Sequence, residues 1–213
     1  MKANLRKLVE IGSHHLGPDG ARFPEDIVHM AGALHKELEE LLALKNGFFV
    51  FESALHIFPL GPASEGYDLG PWNSNDLWRA EYGDMAVGSL FFAEDIFGEQ
   101  FCLREGRVWR FDPETGEYER VATNLEGWAR RILQNYEEET GYPLAHAWQE
   151  THGRLPLRER LLPKMPFVLG GEYNVENLYA QDAVKGMKSR AYLARQIRDL
   201  PDGAQIQFEI TDD

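Results

Sequence analysis

The order of patterns in this 213-residue sequence predicts an α+β fold: a mainly antiparallel sheet flanked by helices, with a helix-plus-strand extension at the C-terminus. Ile27, Ala31, Leu34, Leu38 and Leu41 recur in steps of four and three, the spacing of one buried helical face. Short strand-like runs joined by tight turns fill the middle third. A second helical stripe, Leu125, Trp128, Ala129, Ile132, Leu133 and Tyr136, closes that block.

The first helix is expected to begin at Pro24, which lacks a donor that a first turn would not use. Glu25 and Asp26 follow it and suit the positive end of the helix dipole. Asn46-Gly47 ends this helix, and Phe48 to Phe51 reads as a strand. Further strands are expected over Leu55–Pro59, Ser89–Glu94, Glu99–Arg104, Arg107–Phe111 and Glu117–Val121. Glu105-Gly106 is a tight turn, and Asp112-Pro113-Glu114-Thr115-Gly116 joins the next pair, with Gly116 free to take positive φ. Asn124 caps the closing helix.

Past Gly141 the pattern loosens, because Pro143, Pro156, Pro163 and Pro166 break the chain into short pieces. A short helix is expected around Leu144–Thr151, a turn at Gly170-Gly171, and a longer helix carrying Ala180, Val184, Met187, Ala191, Ala194 and Ile197 on one face. A last strand is expected over Ala204–Ile210. Residues 142–213 read as an extension packed on the domain formed by 1–141; a separate small domain is the alternative reading.

Hydrophobic residues make up 43% of the chain and charged residues 27%, an ordinary globular composition. A chain of this length buries roughly 70% of its extended surface and needs neither disulfide nor metal to hold a core. There are 22 basic residues against 35 acidic ones, a formal charge of −13. That excess repels nucleic acid and anionic membranes and leaves small molecules and basic proteins as partners. The basic start, Met1 to Lys7, is followed by no apolar run of the signal-peptide kind, and no stretch is apolar enough to span a bilayer. A soluble, cytoplasmic protein is expected.

Residues that could carry chemistry are few. Cys102 is the single cysteine, flanked by Phe101 and Leu103, and reads as a small buried apolar residue. His14 and His15 are adjacent, and His29/His35 and His146/His152 are each six apart. None of these spacings suits a metal site, and no cofactor motif occurs. Glu94, Asp95 and Glu99 sit close together around one hairpin and mimic a catalytic carboxylate pair, although hairpin acids are most simply solvated. No nucleophile elbow, phosphate-binding loop or dinucleotide fingerprint occurs. No enzyme is indicated.

Residues 61–85 stand out. They carry Glu65, Asp68, Asp76, Glu81 and Asp84 against Arg79 alone, interleaved with Tyr67, Trp72, Trp78 and Tyr82. Aromatic anchors ringed by acids fit a surface for a basic partner, which nominates Tyr67, Asp68, Trp72, Asp76, Trp78 and Asp84 as partner-binding residues. The alternative is that Trp78 and Tyr82, four apart on a short helix, pack on the sheet. The C-terminal helix is basic, with Lys185, Lys188, Arg190, Arg195 and Arg198, and reads as a solvated or internally paired face.

Leu42-Ala43-Leu44-Lys45-Asn46-Gly47 runs into Phe48-Phe49-Val50-Phe51. Then come Val87-Gly88, Phe97-Gly98, Glu105-Gly106-Arg107-Val108-Trp109 and Ala122-Thr123-Asn124-Leu125-Glu126. This order resembles the SUKH superfamily, which includes the yeast Smi/Knr-type cell-wall regulator and many bacterial immunity proteins. The resemblance covers about residues 22–140, and Pro166 to Gly203 is similar to a C-terminal portion of some bacterial members. It implies a twisted sheet flanked by helices, with no catalytic residues, no cofactor, and a binding role. For a bacterial member the implied partner is a basic protein toxin, often a nuclease, neutralised by direct contact. A regulatory interaction module and a small-substrate enzyme using Glu94, Asp95 and Glu99 are the alternatives.

Overall fold

The first element is one the sequence pattern did not single out. A helix, α1 (Ala3–Ile11), buries Leu5 and Leu8. The computed structural model describes residues 3–201, 203 and 204. The stripe that begins after Pro24 forms two helices, α2 (Glu25–Ala31) and α3 (His35–Leu44), instead of one. Gly32 takes φ +56° between them, a conformation no right-handed helix continues through.

A six-stranded antiparallel sheet follows in simple meander order: β1 (Phe48–Val50), β2 (Leu55–Ile57), β3 (Leu90–Asp95), β4 (Gln100–Arg104), β5 (Arg107–Phe111) and β6 (Tyr118–Ala122). Between β2 and β3 the chain makes short helical turns, including α4 (Leu69–Trp72) and α5 (Ala80–Tyr82). Helix α6 (Leu125–Gln134) closes the meander, and its Asn124 cap accepts the Gly127 N–H at 2.8 Å. The fold is therefore α+β with an antiparallel sheet, as the sequence predicts.

Each sheet face has its own aromatic layer. On one, Phe92 and Phe101 meet Trp128 of α6 at 5.0 and 5.7 Å, and Leu5, Leu8, Leu38 and Leu41 from α1 and α3 complete the layer. On the other, Phe58 stacks on Trp72, Phe91 meets Trp78, and Phe111 meets Tyr82 edge-on.

The C-terminal segment contributes α7 (Tyr136–Thr140), α8 (Tyr142–His152) and α9 (Ala183–Ile197). It also forms a two-stranded sheet of β7 (Glu159–Pro163) and β8 (Leu178–Asp182), which the proline-rich pattern concealed. Pro163 ends β7, where its missing N–H costs the ladder little. Ala180, read as helical, lies in β8, and the helix starts only at Ala183, with Asp182 as its cap. Ala183, Met187, Ala191 and Ala194 of α9 are buried in the same apolar cluster as Trp72, Trp78 and Phe91. The strand expected over Ala204–Ile210 lies, from Gln205 onward, outside the described residues.

The β5–β6 connection behaves as its glycine demands. Gly116 takes φ +75° and its N–H donates to the Asp112 carbonyl at 2.8 Å. A Cβ there would overlap Met85 Sδ. Gly116→Val is expected to lower unfolding stability by at least about 1 kcal/mol, from the φ penalty alone. Urea denaturation measures it, and an unchanged midpoint would contradict this turn geometry.

Candidate functional site

Strand register builds a polar row across the sheet. Successive antiparallel partners are Phe49 with His56, His56 with Glu94, Glu94 with Gln100, Gln100 with Phe111, and Phe111 with Tyr118, so these residues share one face across all six strands. The register between β3 and β4 shifts at Phe91 to Ala93, leaving Phe92 as an extra residue. Phe91 opposes Cys102 and Glu94 opposes Gln100, so the bulge turns residues three apart onto the same face. Without it, Glu94 would lie on the opposite side.

The centre of the row is a buried hydrogen-bonded network. Arg160 of β7 reaches over it and places Nη2 at 2.6 Å from Glu94 Oε1. His56 Nδ1 donates to the same oxygen at 3.2 Å, and Gln100 Nε2 donates to Glu94 Oε2 at 3.2 Å. Gln100 also accepts the Trp72 indole N–H at 2.8 Å. Glu94 and Arg160 are each only 1% exposed. Phe49 stacks on His56 at 4.2 Å, and the Arg160 guanidinium lies 5.7 Å from the Phe49 ring.

Burial acts to raise the Glu94 carboxyl, but the Arg160 charge and the His56 and Gln100 hydrogen bonds outweigh it and hold the group below its usual range. Burial, assisted by the charge of Arg160, pushes His56 down to about 4 against the pull of Glu94, so the imidazole is neutral near pH 7. This is a locked ion pair with a neutral histidine beside it.

The other two hairpin acids are also not simply solvated. Asp95 is 3% exposed, and its Oδ1 accepts the N–H groups of Phe97 and Glu99 at 2.9 and 2.8 Å. Burial and the neighbouring Glu99 charge hold Asp95 well above the usual carboxylate range. Burial lifts Glu99 to about 7 although Arg110 Nε stands 3.4 Å away. The reading of these acids as solvated hairpin residues is corrected: the bulge and the covering β7 bury Glu94, and the tight β3–β4 turn folds around Asp95. Cys102 is buried, and desolvation pushes its thiol up to about 12, which removes it as a nucleophile at neutral pH. Among the described residues no His, Cys, Asp and Glu side chains gather in a group fit for a metal ion.

The acidic aromatic stretch does not form a single surface. Trp72 and Trp78 are fully buried, because Phe58 and Phe91 on the sheet provide their packing surface, so neither ring offers contact area to a partner. Their nomination as partner-binding residues is corrected. Tyr67 is half-buried and donates its hydroxyl to Asp182 Oδ2 at 2.6 Å, which ties this loop to the cap of α9. Asp68 is half-buried. Asp84 is exposed but held by Arg198 in a two-pronged pair at 2.6 and 2.8 Å. Asp76 is exposed. Sequence reasoning missed His56, Gln100 and Arg160. A histidine set between Leu55 and Ile57 in an apolar strand was the available signal for the first.

Residues 30–131 match the SMI1 / KNR4 family (SUKH-1). That match, over slightly less than half of the chain, supports membership of the SUKH superfamily. The match runs from α2 into α6 and contains the whole six-stranded sheet, whereas Arg160, which closes the SUKH sheet's polar row, lies beyond it. A solved structure described as "Crystal structure of Atu4351 from Agrobacterium tumefaciens" is similar in fold, with a TM-score of 0.56 at 14% identity. That likeness covers 90% of this chain and 88% of the other, so it extends past the SUKH match into the C-terminal segment. No curated protein matches the sequence. Among the described residues no helix is long and apolar enough to cross a membrane.

Removing one partner of the buried pair leaves an uncompensated charge in the core. Arg160→Met is therefore expected to cost about 3–5 kcal/mol, whereas the double variant Glu94→Gln, Arg160→Met is expected to be more stable than Arg160→Met alone. Equilibrium denaturation of the wild type, the two single variants and the double variant checks this. Additive losses would mean that the two groups do not interact.

Proposed function

We propose that this SUKH protein is a non-enzymatic binding protein, a bacterial immunity protein that neutralises a cognate toxin by direct protein–protein contact. The observation that carries the reading is the acidic excess on a SUKH fold, 35 acidic residues against 22 basic. A nuclease toxin suits that charge, because a cleft built to bind phosphate is basic and an acidic protein can occupy it. Neither nucleic acid nor a membrane surface suits it as a direct partner, and the proposal requires no cofactor.

The burial of Glu94 and Asp95 supports the same reading. An acid–base enzyme needs its carboxylates within reach of substrate, and Glu94 is 1% exposed, ion-paired to Arg160 and hydrogen-bonded on both oxygens. Asp76, with the half-buried Tyr67 and Asp68, remains available as contact positions from the acidic stretch.

The test is to seek a toxin gene beside this one and to measure stopped-flow binding to its product, at low and at high salt. The expected association rate falls roughly tenfold or more as salt is added, with dissociation changing less. A complex that fails to form, or turnover of a hydrolase, nuclease or transferase substrate by the purified protein, would contradict the reading.

A further inference from the structure

A cavity of about 210 Å³ opens where the β3–β4 hairpin, the β5–β6 hairpin, the β7–β8 connection and α9 converge. Its walls combine two chemistries. Phe97 meets Phe167 and Tyr173 edge-on at 5.5 and 6.1 Å, and Phe167 and Tyr173 stack face to face at 3.9 Å. Tyr173 is 63% exposed, so a stacked aromatic pair stands at the mouth with one ring largely in solvent. Three acidic residues, Glu99, Asp112 and Glu114, line the cavity as well.

Glu114 is the informative one. It is 4% exposed, it lines the cavity, and its Oε2 accepts the Val168 N–H at 2.9 Å. Among the described residues no lysine, arginine or histidine pairs with it, whereas Glu94 and Glu139, the other buried glutamates, each have an arginine. Arg190, the one cation among the described residues on the wall, gives Nη1 to the Phe97 carbonyl at 2.6 Å and Nε to the Gly186 carbonyl at 3.1 Å. Burial and crowding of negative charge raise Glu99, Glu114 and Tyr173 together, offset only in part by Arg110 and Arg190 for Glu99 and by the Val168 N–H and Arg190 for Glu114. Glu99 has Arg110 beside it at 3.4 Å, so among the described residues the shortage of positive charge falls on Asp112 and Glu114.

We propose that this cavity is a docking point of the protein for its partner and receives one lysine or arginine side chain. This rests on the reading above that the partner is a basic protein. A flat cation can lie against the Tyr173 and Phe167 rings while its N–H groups reach the carboxylates, a combination of cation–π attraction and charge-assisted hydrogen bonding. A bare divalent ion fits poorly, because the carboxylates do not gather into a metal-binding group among the described residues. A neutral side chain gains nothing from the acids. Because the elements lining the cavity include the β7–β8 connection, the docking point belongs to sheet and C-terminal segment jointly.

The test is a titration of the full ¹⁵N-labelled chain with N-acetyl-arginine amide, N-acetyl-lysine amide and, as an uncharged isostere, N-acetyl-citrulline amide. Saturable shifts at the amides of Glu114, Val168 and Tyr173 are expected with the arginine or lysine probe and not with citrulline. Glu114→Gln, which keeps an acceptor for the Val168 N–H, and Tyr173→Ala, at an exposed ring, are each expected to weaken the probe at least tenfold. The same two variants are expected to speed dissociation of the toxin at least tenfold. Equal shifts with citrulline, or probe binding unchanged in both variants, would overturn the proposal. So would wild-type toxin dissociation in both, and the immunity reading would then stand without this cavity. Specific probe binding without capture of the toxin would support the cavity as a cation site and overturn the immunity reading instead.

Discussion

The buried ion pair between Glu94 and Arg160 is the constraint around which the rest of the molecule is arranged. A carboxylate and a guanidinium, each 1% exposed, lose their hydration on folding, and that cost is offset only if every charge finds a partner. The sheet supplies the His56 and Gln100 donors, and β7 supplies Arg160. Glu94 sits within the SUKH match and Arg160 outside it. A sheet without the C-terminal segment would therefore leave the Glu94 carboxylate without its cover and without its counter-charge. Trp72, hydrogen-bonded to Gln100 and stacked on Phe58, extends the same requirement to the acidic stretch.

A second link joins the two parts at the tip of the β1–β2 hairpin. Phe51, Glu52 and Ser53 all take positive φ, at 52°, 53° and 72°, a left-handed run that costs non-glycine residues about 1–2 kcal/mol each. Helix α8 holds this tip from outside. Gln149 donates to the Glu52 carbonyl at 3.1 Å, and His146 Nδ1 lies 2.8 Å from Glu52 Oε2. The exposed His146 pair contributes little by itself. The aromatic contact of Phe51 with Tyr136 at 4.8 Å adds apolar area.

How much of this was legible in the sequence follows from which patterns are local. The meander strands, the Asn124 cap and the Gly116 turn were readable, because alternation, capping chemistry and a positive-φ glycine are written in neighbouring residues. The β7–β8 sheet was not, because four prolines hide a short strand whose partner lies beyond the 164–177 connection. The polar row was hidden by the bulge at Phe92: strict alternation from Phe91 points Glu94 to the wrong face. Trp72 and Trp78 looked like interface anchors because acids surround them in the chain. In space, the sheet's own Phe58 and Phe91 claim them. The acidic aromatic cavity likewise draws its walls from segments far apart in sequence, and Glu114, which reads locally as part of a turn, lines it together with Tyr173.

The measurement that bears most directly on the dependence of the sheet on its C-terminal cover is native-state hydrogen exchange of the wild-type protein. If Arg160 completes the core, the slowest amides of β3 and β4 exchange with the same opening free energy as those of β7 and α9, and all fall together as denaturant is added. Exchange from β7 and α9 at clearly lower free energy, with β3 and β4 still fully protected, would show that the sheet stands without its ion-pair partner and would contradict this account.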